Sequence, residues 1–282
     1  MPPLPSHELR EQWLGYNETY GLDRWLEYAD VYERHLPAPC ADAERGSFKL
    51  LEIGVQSGGA ARAWKQRYGH QLYYTGIDIE PTTRRAHSPD ENIHVEIGSQ
   101  ADADFLLRVC RKHGPFDVVI DDGSHRPVHM WASLAAIWPH NACMRAHSVY
   151  VVEDTHSMVM PRAFLAACEA PHDIYDLAGE AFWSIHSHWA YGGAARYPDG
   201  ASHHPIFKQL VRAVYAYDSI LVLARGPPPR PRMTMVKRGQ DFIAYGQGSP
   251  PKQLQEGGGR AGGCAARGTR TPTRPEGASS AR

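Results

Sequence analysis

The feature that most constrains the fold of this chain is a repeated switch of period. Short apolar runs, each closed by glycine or a carboxylate, alternate with stretches of helical spacing. The runs are "FKLLEIGV", "QLYYTGIDIE", "NIHVEIG", "FDVVID" and "SVYVVED". Between them lie "GGAARAWKQRYG", "DADFLLRVCRKHG" and "PVHMWASLAAIWPH". The first two helices close on Gly69 and Gly114, and the third carries Pro127 in its first turn. Strands separated by helices require crossover connections, which predicts an α/β, doubly wound and mostly parallel sheet covered on both faces. In such a sheet a ligand sits beyond the carboxyl ends of the strands.

Those ends are where the acidic residues stand. "FDVVIDDGSH" places Asp121 and Asp122 at the end of one run, with His125 three residues after the second. "SVYVVEDTH" ends in Glu153 and Asp154, with His156 two residues on. A carboxylate beside a hydrophobic core is costly unless it is paired, so four of them at two strand ends point to one shared purpose. Read singly, an Asp-Asp pair before Gly-Ser is also turn or helix-cap chemistry, and His125 alone is also a hydrogen-bonded surface histidine. His125 and His129 have a spacing compatible with zinc, but no third nitrogen or sulfur ligand follows nearby.

The first run continues as "LLEIGVQSGGA", with Glu52, Gly54, Gly58 and Gly59 before a helix. Glycine lets the backbone turn tightly and approach a ligand closely. No Gly-Lys-Ser/Thr follows, and Gln56 replaces the second glycine of a dinucleotide fingerprint. The loop therefore suits a ligand with a cationic or ammonium-bearing end and no phosphate. Asp78, closing the second run, is placed to accept ribose hydroxyls. "GSQAD" offers Gln100 and Asp102 beside a base-sized slot.

Net charge and cysteine usage narrow the class. The formal charge of -1 over 282 residues gives no overall attraction to nucleic acid or to an acidic membrane surface. No apolar run is long enough to span a bilayer, and the N-terminus lacks the pattern of a secretory signal. The five cysteines are dispersed with no CxxC, which predicts packing thiols and a reducing, cytoplasmic setting. Residues 8–37 read as a pair of helices with an aromatic face, suited to covering the sheet or to forming a homo-oligomer. Residues 155–205 are irregular and rich in aromatics, glycine and histidine, and Trp183, Trp189 and Tyr191 are candidates for an acceptor wall. "PIFKQLVRAV" reads as a helix, "YAYDSILVLAR" as a strand and "MTMVKRGQDFIAYG" as a last strand pair. A Gly/Pro/Arg-rich tail, 248–282, reads as disordered. Domain organisation is thus an N-terminal helical segment, 1–46, a main domain, 47–247, and the tail.

The motifs "LLEIGVQSGG", "YTGIDIEP", "GSQAD", "FDVVIDDGSH" and "YVVEDTH", in that order, resemble those of class I S-adenosylmethionine-dependent methyltransferases. Within that class they resemble the metal-dependent sugar O-methyltransferases of macrolide biosynthesis (mycinamicin type) and the cephalosporin-hydroxylase-type family. The resemblance implies a Rossmann-like sheet of seven strands whose last strand runs antiparallel. It implies S-adenosylmethionine and Mg2+ or Mn2+ as cofactors and a hydroxylated small molecule, such as a glycosylated natural product, as acceptor. By the same resemblance Glu52, Gly54 and Gly58 line the methionine end, Asp78 holds the ribose, and Gln100 and Asp102 lie near the adenine. Asp122, Glu153 and Asp154 become metal ligands and His125 the general base. Asp121 is left between a cofactor contact and a turn cap. The competing class is a non-catalytic protein that keeps the cofactor pocket; iron oxygenase chemistry is disfavoured because the implied ligands are all carboxylates.

Overall fold

A computed structural model describes residues 7–39, 47–159, 174–186, 205–207 and 210–226. The five apolar runs form β1 (Phe48–Ile53), β2 (Leu72–Asp78), β3 (Ile93–Ile97), β4 (Phe116–Asp121) and β5 (Met144–Val152). A hairpin of β6 (Val211–Tyr217) and β7 (Ile220–Arg225) completes a seven-stranded sheet of order β3-β2-β1-β4-β5-β7-β6. The pairs among β1 to β5 are parallel, and β7 runs antiparallel to both β5 and β6.

Side chains alternate across a strand, so each run feeds two cores. Leu51, Ile53, Val119 and Val152 pack on one face under α4 (Ala103–His113), α5 (Pro127–Ile137) and α6 (Ile174–His186). Leu50, Val118, Ile120 and Val151 pack on the other under α1 (Glu8–Leu14), α2 (Tyr28–His35) and α3 (Gly59–Tyr68). The N-terminal segment therefore shares a core with the sheet. Tyr32 lies edge-on to Trp13 and Trp64, at centroid distances of 6.2 and 5.2 Å.

Three expectations are corrected. The segment 8–37 is helical only in α1 and α2; residues 15–27 cross between them as a non-helical strap. Gly15 opens this break, and the strap is tied down where the Gly59 N–H donates to the Gly21 carbonyl at 3.1 Å. Within "PIFKQLVRAV", the part from Val211 onward is strand β6, because pairing with β7 from Val211 to Tyr217 overrides the helical pattern. Two cysteines are not free thiols: Cys110 of α4 and Cys143, 33 positions apart, are joined by a disulfide in the core under α4 and α5. Their separation in sequence hides the meeting of the α4 surface with the entry to β5. The expected last strand pair, the tail, Trp189 and Tyr191 lie outside the described residues. No helix among the described residues is long and apolar enough to cross a membrane.

Candidate active site

A cleft of about 1010 Å³ opens along the carboxyl ends of β1, β2, β4 and β5. Its floor is the glycine loop, its far end Asp78 and Ile79, and its near end Asp122, His125 and Asp154, with Gln100 reaching across to Ser124. Arg24 and Trp25 of the strap form part of its wall. The volume is within the range of small-molecule sites.

Gly54 and Gly58 both have positive φ, 94° and 89°. A Cβ on Gly54 would stand 2.1 Å from the Asp122 carbonyl oxygen, so the turn closes only without a side chain. Gly54 lines the cleft; Gly58 instead caps α3, against Ala86 and Tyr20. Asp78 accepts from the Val55 and Gln56 amides at 2.8 and 3.0 Å and from the Glu80 amide at 2.9 Å. It therefore holds the glycine loop in shape while facing the cleft. Gln100 also lines the cleft; it accepts from the Ser124 amide at 2.7 Å and donates to Asp121 at 3.0 Å.

Period-two alternation splits the adjacent carboxylates between the faces of the sheet. Asp121 points under α5 and is fully buried, accepting from Ser133, Tyr150 and Gln100. Burial raises its pKa, and those hydrogen bonds oppose the rise. It does not line the cleft among the described residues. Asp122, Glu52 and Glu153 point to the opposite face, where they meet one cation. The Arg24 guanidinium, 3% exposed, reaches Glu153 at 2.5 Å and Asp122 at 2.8 Å, and also bonds Glu52. Glu52 is fully buried, accepts from Tyr74 at 2.5 Å, and does not reach the cleft. Glu153 accepts in addition from Tyr32. Burial lifts the pKa of Glu153 and of Asp122 against the pull of Arg24. Burial likewise opposes the charge on Arg24, but Glu153 and Asp122 outweigh it and hold the guanidinium firmly protonated.

At the near end, Asp122, His125 and Asp154 offer ligand atoms that all lie within 4.8 Å of one another. His125 Nε2 stands 3.5 Å from Asp154 Oδ2 and 3.9 Å from Asp122 Oδ1. The second oxygen of each carboxylate is already engaged: Asp122 Oδ2 by Arg24, and Asp154 Oδ1 by the Tyr28 hydroxyl at 2.7 Å. Such outer contacts fix carboxylate orientation. His125 and Asp154 both adopt left-handed backbone, with φ 53° and 54°, which turns their side chains into the same space. Ser157 braces the turn by donating to the His125 carbonyl at 3.0 Å. Among the described residues His125 Nδ1 is buried with no hydrogen-bond partner, so the ring presents Nε2 to the two carboxylates.

Of the residues expected here, the structure brings Asp122, His125 and Asp154 together and lines the cleft with Gly54, Asp78 and Gln100. Glu153 lines the cleft but is bound by Arg24 and Tyr32. Asp102 caps α4, accepting from the Phe105 amide at 3.0 Å, and is not among the described residues that line the cleft. His129 lies on α5 and pairs with Ser124 at 2.8 Å, whereas His125 precedes the helix, so the two share no helix face. Arg24 escaped the sequence reading, and Tyr28 and Tyr32 were read only as part of the aromatic face of residues 8–37. The one available signal was charge: clustered buried carboxylates demand a buried cation, although nothing in the spacing says which.

Strand order, the single antiparallel strand and the position of the cleft define the class: this is the fold of the class I, S-adenosylmethionine-dependent methyltransferases. Within that class the chain is similar to the macrolide sugar O-methyltransferases. It is 35% identical over 153 residues to mycinamicin VI 2''-O-methyltransferase of Micromonospora griseorubida, covering 52% of this chain and 35% of that protein. It is 34% identical over 167 residues to L-olivosyl-oleandolide 3-O-methyltransferase of Streptomyces antibioticus, covering 57% and 39%. Among solved structures, MycE methyltransferase from the mycinamycin biosynthetic pathway in complex with Mg and SAH superposes with a TM-score of 0.62 at 26% identity, covering 81% of this chain and 56% of that one. The chain thus matches little more than a third of the length of these curated relatives. No protein-family model matches it.

Proposed function

We propose that the chain is an S-adenosylmethionine-dependent, divalent-metal-assisted O-methyltransferase acting on a hydroxyl of a small molecule, in particular a glycosylated natural product. The observation that carries this reading is the convergence of Asp122, His125 and Asp154 at one end of a cleft whose floor is the glycine loop. The curated relatives act on sugar-bearing macrolides or related compounds by name, and the MycE complexes contain Mg and SAH.

The donor set fits the implied ion. Two carboxylates with one free oxygen each, beside an imidazole nitrogen and open solvent, suit magnesium or manganese completed by water and substrate. Asp122 and Asp154 would hold it, with Glu153 alongside. Bound there, a divalent cation supplies Lewis acidity that lowers the proton affinity of an acceptor hydroxyl. The remaining work falls to the chain. The glycine loop, Asp78 and Gln100 seat the donor. Methyl transfer is an in-line displacement, so the cleft must set the acceptor oxygen behind the sulfonium methyl. His125 Nε2 takes the hydroxyl proton. A cytoplasmic enzyme without a nucleic-acid partner completes the reading.

The test is methyl transfer from labelled S-adenosylmethionine to a panel of hydroxylated glycosides, with product mass as readout, alongside calorimetric titration of the donor with and without Mg2+. Asp122→Asn and Asp154→Asn should abolish turnover, and His125→Ala should lower it by about 10²–10⁴-fold. Full turnover in excess EDTA would refute the metal role. Donor binding with no transfer to any acceptor would leave a binding protein instead.

A further inference from the structure

Arg24 is the group that this reading leaves unused. Its guanidinium is buried, lies 129 positions before Glu153 in sequence, and draws oxygens from three carboxylates. Two of those three, Asp122 and Glu153, border the space where a cation would sit. Nη1 spans both oxygens of Glu153 and one of Asp122. The oxygens it does not take are Asp122 Oδ1 and Asp154 Oδ2, the two that face His125. We propose that Arg24 is a positioning residue, a built-in counter-ion that competes with the divalent cation for Glu153 and Asp122 and so sets the site's affinity for that ion. The inference rests on the metal-assisted reading above, but its measurement does not.

The physical basis is competition between cations for a fixed set of oxygens. With Arg24 seated, an incoming ion meets two available carboxylate oxygens and a field already reduced by one positive charge. To engage Glu153 it must displace a guanidinium that Glu52 anchors from below. A weakly hydrated, planar fork holds buried carboxylates well. Without the fork, Glu153 and the second oxygen of Asp122 become available, and a divalent ion bound there recovers the charge balance that Arg24 supplied. A purely structural Arg24 predicts the opposite. Its loss would then disorder Asp122 and weaken ion binding.

Mn2+ is the probe, titrated into the full chain and followed by calorimetry or by loss of its free electron-spin-resonance signal. Arg24→Gln should bind Mn2+ at least about tenfold tighter than wild type, roughly 1.4 kcal/mol. Arg24→Lys, which keeps a charge but grips fewer oxygens, should fall between and carries the test if Arg24→Gln does not fold. Equal or weaker binding by the folded variants overturns the proposal. Should wild type fail to bind Mn2+ at millimolar concentration while an Arg24 variant binds, competition stands and the native metal role falls. If none of the three binds, both fall.

Discussion

The two faces of one sheet hold buried carboxylates by different means. Under α5, Asp121 is met only by neutral donors: the hydroxyls of Ser133 and Tyr150 and the amide of Gln100. Under the N-terminal segment, Glu52, Asp122 and Glu153 share the charge of Arg24. The first arrangement is a closed network of fixed donors, so it can only hold shape. The second keeps Asp122 and Glu153 at a cleft wall and balances them, with Glu52, by a single guanidinium. Sequence neighbours thus have separate surroundings: Asp121 braces the strand end, and Asp122 faces the cleft.

The comparison can be broken from either side. Removing Arg24 as Arg24→Met should give the largest loss of stability, about 3–5 kcal/mol, because it leaves buried carboxylates without a partner. Urea unfolding in EDTA measures it, and added Mg2+ should recover part of the loss through ion binding to the folded state. Asp121→Asn should cost less, about 1–3 kcal/mol, since the shape stays but an acceptor is lost among donors. It should leave Mn2+ affinity unchanged; a changed affinity would join two faces that the structure separates. Asp102→Ala should cost about 1 kcal/mol through the lost helix cap, with donor affinity untouched in calorimetry.

The smallest effect concerns pH. His35 of α2 packs on Tyr215 and pairs with Tyr217, and burial, aided by Arg34, lowers its pKa to about 4. Between the ordinary histidine value near 6.5 and about 4, the unfolded chain binds a proton that the folded chain refuses. This contribution is therefore complete above that window and is lost as pH falls through it. The stability difference between wild type and His35→Gln should shrink across that interval; a constant difference would show that His35 binds its proton equally well in the folded and unfolded chain.

Much of the fold was legible because the apolar runs are short, contiguous and punctuated by glycine. Each run appears as a strand, and the carboxylates stand where a parallel sheet collects its ligands. The site was legible only in part. Asp102 precedes a helix and had the signature of a cap, yet nearness to "GSQ" suggested a ligand contact instead. Asp121 and Asp122 looked alike until the strand's alternation separated them. Arg24 was invisible because its role depends on a non-helical strap, and helical spacing over 8–37 concealed the break. The disulfide was hidden for the same reason: a contact between distant segments leaves no local pattern.

The Gly21–Gly59 contact has a mechanical corollary. A side chain at position 59 would drive a Cβ to 2.1 Å from the Gly21 oxygen, three residues before Arg24. The crossing backbone and the floor of the donor pocket are thereby geared together. A side chain at the start of α3 would therefore press on the strap that carries the guanidinium.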